Sequence, residues 1–342
     1  MVKIVIPFIL YFFCFFALKK IIPFLKKNSI LDHPSSRSNH KQSMPKGGGI
    51  IIIPAIIISI SLYFFIESSI NTKWLVFLLS IFFLFLISLI DDIKSLPAIL
   101  RLIIHSLCVI ISVYCMKDDI TSFLNNMDIV IKFNISESLL FYLLASLIIL
   151  SWLWLINLFN FMDGMDGLTA LQMIFLALTL NIISLMNHFN NDFQFISLVL
   201  FSVFLAFFRH NKPQAKIFLG DSGSIPSGYI AGFILIESLF KQGPFFPILI
   251  ILLYFILDST ITLIIRSLNN NNLFSAHSDH FYQKMIRKGY SHQYVLKKVM
   301  FLLIFLILMS FISLKYHLIS FSLALITTVF TLIFFSVRSK SE

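Results

Sequence analysis

The stretch Trp74–Ile90, WLVFLLSIFFLFLISLI, runs straight into Asp91 and Asp92, and this junction decides the fold. A run that long is close to the ~20 apolar residues an α-helix needs to cross a bilayer. Ten further runs read the same way, starting near Ile4, Gly49, Ile99, Ser138, Leu168, Phe193, Ile225, Phe246, Val299 and Leu318. Together they predict an all-α, polytopic membrane protein with about eleven transmembrane helices. Composition agrees, since 58% of the 342 residues are hydrophobic and only 12% charged, too apolar for the surface of a soluble domain. The run near Phe193 reads as short. The one near Ile225 carries Pro226, Gly228 and Gly232, which a membrane helix tolerates where its neighbours satisfy the freed backbone.

Charge sets an orientation. With the N-terminus outside, the outer loops hold Lys3, Lys73, Lys117, Lys132, Lys241 and Lys315, and the other twenty of the 26 Lys and Arg lie inside. That asymmetry is what the positive-inside rule asks for, and it makes the C-terminus cytoplasmic. The net charge of +10 therefore has a topological cause and gives no reason to expect nucleic acid as a partner. Cys14, Cys108 and Cys115 lie in or at the ends of apolar runs and read as packing residues, not a disulfide framework. Lys19 and Lys20 follow the first run where a signal peptide would have a small-residue cleavage site, so that run is expected to stay as a helix.

Residues 1–342 read as one integral-membrane domain whose inside segments, 28–47, 91–97, 157–166, 209–224 and 267–296, hold nearly every cluster of Asp, Asn, His and Gly. Two adjacent carboxylates at a membrane boundary, Asp91 and Asp92, are costly unless a cation or strong donors meet them, and Lys94 and Arg101 are at hand. In Asn157-Leu-Phe-Asn160-Phe-Met-Asp163-Gly-Met-Asp166-Gly167, an oxygen-bearing side chain recurs every third position, so the four can line one cavity; the Asp-Gly pairs would also suit a turn and cap. In Phe218-Leu-Gly220-Asp221-Ser-Gly-Ser224, glycines flank an acid and hydroxyls ahead of a helix, a construction that can wrap backbone amides around phosphate oxygens while Asp221 holds a metal. No Walker-type phosphate loop occurs. His277 and His280 sit in a basic segment with Lys284, Arg287 and Lys288; a zinc site there would lack a convincing third ligand. Arg37, His40 and Lys46 make a second basic segment before Gly47-Gly48-Gly49.

In this order the motifs resemble those of the polyprenyl-phosphate N-acetylhexosamine 1-phosphate transferases of glycosyltransferase family 4, which includes the muramoyl-pentapeptide translocase and the O-antigen initiating enzymes. The likeness spans almost the whole chain. It runs from Pro34–Gly49 through Asp91-Asp92 with Arg101, the Asn/Asp-Gly segment, Asn211-x-Pro213-x-Ala215 leading into Phe218–Ser224, and intramembrane Asp258 with Arg266, to the His segment. The resemblance implies transfer of an N-acetylhexosamine 1-phosphate from a UDP-sugar to undecaprenyl or another polyprenyl phosphate at the inner membrane. UMP is released, and a lipid-linked envelope glycan such as O-antigen or capsule is begun.

It further implies Mg²⁺, or Mn²⁺ in its place, on Asp221 with Asn160, and catalytic roles for Asp91, Asp92 and Asp163. Phe218 would stack on uracil, and Asn157, Asn160, Asp166, His277, His280, Arg37, His40 and Lys46 would contact substrate. The family also leaves room for a homodimer. Ala276-His277-Ser-Asp-His280 departs from the translocase's three consecutive histidines and looks closer to the O-antigen branch that handles N-acetylated 6-deoxyhexoses such as N-acetylfucosamine or N-acetylquinovosamine, with the choice of sugar left open. A transporter or lipid-linked sugar flippase is the rival reading; it would use Asp258, Glu237 and His105 as an intramembrane path.

Overall fold

The computed structural model describes residues 2–28, 30–32, 43–126, 136–240, 244–271 and 277–337. Arg37 and His40 lie outside these. The element order is α1 (Val2–Lys27), β1 (Leu31–Asp32), β2 (Met44–Pro45), α2 (Gly49–Ile66), α3 (Thr72–Ile93), α4 (Ala98–Cys115), α5 (Lys117–Asn126), α6 (Glu137–Met162) and α7 (Leu168–Leu185). It continues with α8 (Asn191–Asn211), α9 (Asp221–Phe240), α10 (Phe245–Leu268), α11 (Phe281–Arg287), α12 (His292–Ile312) and α13 (His317–Val337). All but α5 and α11 are long and apolar enough to span a membrane, which gives eleven spans.

Sequence and structure agree on the number of spans and differ at their ends. The helix expected near Phe193 is not short, because α8 runs on through Arg209, His210 and Asn211. The helix expected near Ile225 starts at Asp221, so Asp221–Ser224 form a first helical turn where the sequence reading had a loop. The helix expected near Val299 starts at His292, carrying Lys297 and Lys298 on its first turns. Side-chain caps fix several starts: Asn71 accepts from the Trp74 amide at 3.0 Å and Ser291 from the Tyr294 amide at 3.2 Å. The all-α reading holds apart from the two-residue strands β1 and β2, paired antiparallel with Leu31 opposite Pro45.

The bundle is built around α9, in which every residue from Ser222 to Ser238 is buried. It packs against α2, α3, α6 and α10. Small residues set the distance to α6: a Cβ on Gly228 would lie 2.8 Å from Ile156 Cα and 2.9 Å from Leu155 O, and one on Gly232 would meet the Trp152 ring. The neighbours also satisfy polar groups on α9. Trp152 Nε1 donates to Tyr229 O at 2.9 Å, and the Tyr229 hydroxyl shares a 2.7 Å hydrogen bond with Ser112 of α4. Around this crossing Trp74, Phe77, Trp152, Phe193, Tyr229 and Phe233 form a connected aromatic layer, with Phe77 and Phe233 ring centroids 4.2 Å apart and Trp152 and Tyr229 4.9 Å apart.

Because the atoms facing Gly228 are backbone, they cannot swing aside, and Gly228→Ala should cost ~1–3 kcal/mol of overpacking. The expected result is a lower thermal midpoint of the detergent-solubilised protein by tryptophan fluorescence; an unchanged midpoint would mean that α6 and α9 do not cross there.

Candidate active site

At one end of the bundle, segments far apart in sequence are tied together by backbone pairing. The Phe218 amide donates to Pro45 O at 2.8 Å, the Gly47 and Gly48 amides donate to Phe218 O at 3.2 and 2.9 Å, and the Gly49 amide donates to Leu219 O at 2.9 Å. This parallel bridge lays Lys46 beside the start of α9. Gly220 then takes a left-handed turn, φ 79°, which favours glycine; a Cβ there would come within 2.7 Å of Asp92 Oδ2.

That opening lets Asp92, at the end of α3, reach the N-terminus of α9. Its oxygens accept from the Asp221 amide at 3.0 Å and the Ser222 amide at 2.9 Å, and Lys46 Nζ lies 2.7 Å away. Amides expected to embrace a phosphate are thus taken by a carboxylate. Asp91 is engaged too, accepting from the Leu96 amide and from Arg101, both at 2.7 Å. Of the two cations that the sequence offered the pair, Arg101 does bind Asp91, whereas Lys94 is exposed. The cations that do the pairing are Lys46 and Arg101, and they also flank Asp221, at 3.3 and 3.6 Å. Burial disfavours the Lys46 charge, but Asp221 and Asp92 outweigh it and hold its pKa above the ordinary lysine value.

The Asn/Asp-Gly segment is the hub. Asn157 turns back on its own helix, donating to Leu153 O at 2.8 Å, whereas Asn160 accepts from the Ser224 hydroxyl of α9 at 3.0 Å. Asp163 caps the C-terminus of α6. Burial first, and then the carboxylates of Asp221 and Asp92, push its pKa up to about 8, against the Thr169 hydroxyl and Lys46, which pull it down. Asp166 accepts from the Ala215 amide at 3.2 Å and sits 3.1 Å from His292 Nδ1. Asn211 Oδ1 accepts from the Gly167 amide at 2.9 Å. Asp166, Phe218, Lys212, Ala215 and His292 line a recess of about 860 Å³. No sequence motif marks His292; it reaches the site because α12 starts earlier than its apolar run suggests.

The His segment docks on this hub through Asp258. That buried carboxylate accepts from the Phe281 amide at 3.1 Å and the Tyr282 amide at 3.4 Å, and it lies 3.1 Å from His280 Nδ1. Tyr282 donates its hydroxyl to Phe161 O at 3.1 Å. His277 stacks on His280 with ring centroids 5.1 Å apart. Burial, then His280 and Arg266, lower its pKa to about 4 despite Asp279, so it is neutral at pH 7. Glu237, by contrast, is bound at the other end of the bundle by Lys73 at 2.8 Å, with Asp119 3.2 Å from the same ammonium. Asp258 and Glu237 therefore anchor opposite ends and do not form steps of one path.

The match to known proteins follows the same segments. The model of glycosyl transferase family 4 matches residues 74–239, from α3 to the end of α9. The phospho-N-acetylmuramoyl-pentapeptide-transferase of Petrotoga mobilis is 31% identical over 242 residues, 66% of this chain and 72% of that protein. The chain belongs to glycosyl transferase family 4. It is accordingly an enzyme, a multi-pass membrane glycosyl-1-phosphate transferase. A probable undecaprenyl-phosphate N-acetylglucosaminyl 1-phosphate transferase of Bacillus subtilis is 27% identical over 303 residues, 86% of this chain and 80% of its own length. The decaprenyl-phosphate N-acetylglucosaminephosphotransferase of Mycolicibacterium smegmatis is 28% identical over 163 residues, 41% of this chain and 39% of its own.

Asp163 yields a pH prediction. The fold holds its proton more tightly than the unfolded chain, where an aspartate titrates at 3.8, so the stability it gives is present at low pH and lost as pH climbs toward about 8. In EDTA the thermal midpoint should fall from about pH 5 to about pH 8, and Asp163→Asn, which cannot ionise, should remove part of that fall. An identical slope in the variant would place the titration elsewhere.

Proposed function

We propose that this transferase moves an N-acetylhexosamine 1-phosphate from a UDP-sugar to undecaprenyl phosphate or a similar polyprenyl phosphate, releasing UMP and starting a lipid-linked envelope glycan. One observation carries the reading: polar segments from across the chain converge at a single end of an apolar bundle, where Lys46 and Arg101 flank Asp221, and Lys46 pairs through its backbone with Phe218, which with Asp166 lines a recess large enough for a nucleotide. The names of the relatives support the acceptor and the donor class. The segment Ala276–His280, unlike three consecutive histidines, argues against a muramoyl-pentapeptide donor, and the names of the Bacillus and Mycolicibacterium relatives favour N-acetylglucosamine over the 6-deoxyhexoses that the segment suggested. The excess of Lys and Arg in the loops on the site's side supports a site at the cytoplasmic face of the inner membrane.

An oxygen of the lipid phosphate attacks the sugar-bearing phosphorus, and the bond to the UMP oxygen breaks. Lys46 and Arg101 meet the phosphates, Phe218 stacks on the base, and the His segment closes over the sugar. Among the described residues no three His, Cys, Asp or Glu side chains close on a metal. A Mg²⁺ bound through one or two carboxylates plus substrate oxygens needs no such cage. The donors fit it: Asp221 is part-exposed, Asn160 Oδ1 accepts from the Ser224 hydroxyl in the first turn of the same helix, and Asp163, whose pKa is raised by burial first, is near enough to Asp221 and Asp92 to feel their charge. Mg²⁺ or Mn²⁺ held there would neutralise the diphosphate and the departing phosphate.

Asp91 and Asp92 are poor candidates for a base, since their oxygens already accept from Leu96, Arg101, Asp221 and Ser222. The nucleophile scarcely needs one: a phosphate monoester's second pKa is ~6, so the lipid phosphate is mostly dianionic at neutral pH. The two acids position Arg101, Lys46 and the start of α9.

Membranes containing the chain should release UMP from UDP-N-acetylglucosamine only when polyprenyl phosphate and Mg²⁺ are both present. Release without the lipid, or none across a panel of UDP-N-acetylhexosamines, sinks the proposal. Phe218→Ala should raise KM for the UDP-sugar by the equivalent of ~1–3 kcal/mol of lost stacking while leaving KM for the lipid alone. Asp92→Asn should stay inactive from about pH 6 to about pH 9; recovery at the alkaline end would make Asp92 a base after all.

A further inference from the structure

Among the polar side chains that line the recess beside Phe218 and have no task in the reaction outlined above, His292 is paired with Asp166. His292 is the first residue of α12, half-buried, with Nδ1 3.1 Å from Asp166 Oδ1; the other oxygen of Asp166 accepts from the Ala215 amide at 3.2 Å. The carboxylate is therefore gripped from both sides. Each of its oxygens offers two acceptor positions, so one on each stays available to a ligand in the recess. With the Ala215 contact alone, the group would remain free to turn about its terminal torsion, which has a broad energy well.

We infer that His292 is a positioning residue for the nucleotide: its Nδ1–H aims Asp166 so that the carboxylate accepts an N–H from the edge of a pyrimidine lying on Phe218. This rests on the UDP-sugar reading. Two features separate it from a mere helix tie. The start of α12 is already secured by Ser291, which caps the Tyr294 amide, so helix formation does not need the His292 contact. Both partners also line the recess itself, together with Phe218 and Lys212.

A histidine acting through Nδ1 is mimicked by asparagine, whose amide nitrogen falls near that atom, and not by glutamine, whose amide nitrogen falls near Nε2. The experiment compares wild type, His292→Ala, His292→Asn and His292→Gln, purified with Mg²⁺. It measures transfer kinetics and the Kd for UDP alone. His292→Ala and His292→Gln should raise KM for the UDP-sugar and Kd for UDP about tenfold, the weight of one hydrogen bond to a charged group, with kcat and KM for the lipid nearly unchanged. His292→Asn should restore both nucleotide constants. Equal behaviour of the Asn and Gln variants, or a fall in kcat and thermal midpoint with KM unmoved, would make His292 a structural tie and overturn the inference. If wild type transfers and binds UDP while His292→Ala shifts neither constant, this inference falls and the proposed function stands. If wild type neither transfers nor binds UDP, both fall.

Discussion

The amides at the N-terminus of α9 have to be satisfied deep in an apolar bundle, and most of the site's geometry follows from how that is done. A helix start leaves several N–H groups without partners inside the helix, and α9 is buried from Ser222 onward. A carboxylate is a strong acceptor for that positive helix end, and Asp92 arrives from α3 to take two of the amides. The approach requires Gly220, whose missing Cβ leaves room for the Asp92 oxygen. It also leaves a buried anion to neutralise, which Lys46 does from the strand that pairs with Phe218. Three segments scattered over the chain are thereby fixed around Asp221, the first residue of α9, which keeps a part-exposed carboxylate between Lys46 and Arg101.

The remaining electrostatics divide the acids by environment. Asp91, Asp92 and Asp258 have their oxygens filled by amides, cations or a histidine and serve as fixed anchors. Asp163, Asp166 and Asp221 keep acceptor capacity. A site that receives a highly charged diphosphate and a second phosphate needs cations, and Lys46 and Arg101 provide them before any substrate arrives. His277, neutral at pH 7, adds no standing charge but can gain a proton if an anion settles against it.

Much of this could be read from the chain alone, because the bilayer makes such a coarse demand. Eleven long apolar runs cannot hide, and carboxylates placed at their ends advertise a functional face. Helix ends were less legible: Asp221–Ser224 read as a loop because glycine and serine favour turns, yet the Asp92 cap draws them into α9. His292 was missed for a related reason. It precedes its apolar run, and nothing local says that α12 extends backward to Ser291. The choice of Lys46 rather than Lys94 as partner for the acid pair was also beyond sequence reasoning. It depends on a strand pairing between residues 46 and 218, which no local pattern encodes.

The aromatic layer around Phe233 bears on proton leakage through the bundle. Trp74, Phe77, Trp152, Phe193, Tyr229 and Phe233 pack between the water-facing acids at one end and the Lys73, Glu237 and Asp119 cluster at the other. A file of water molecules joining those two charged ends would conduct protons down the transmembrane voltage, at ~2.3 kcal/mol per charge for each ~100 mV. The ring faces of this layer offer such a file no partners, and its Tyr229 hydroxyl and Trp152 N–H are already bound to Ser112 and to Tyr229 O. Charged groups can thus sit at both ends of one bundle with an aromatic seal between them.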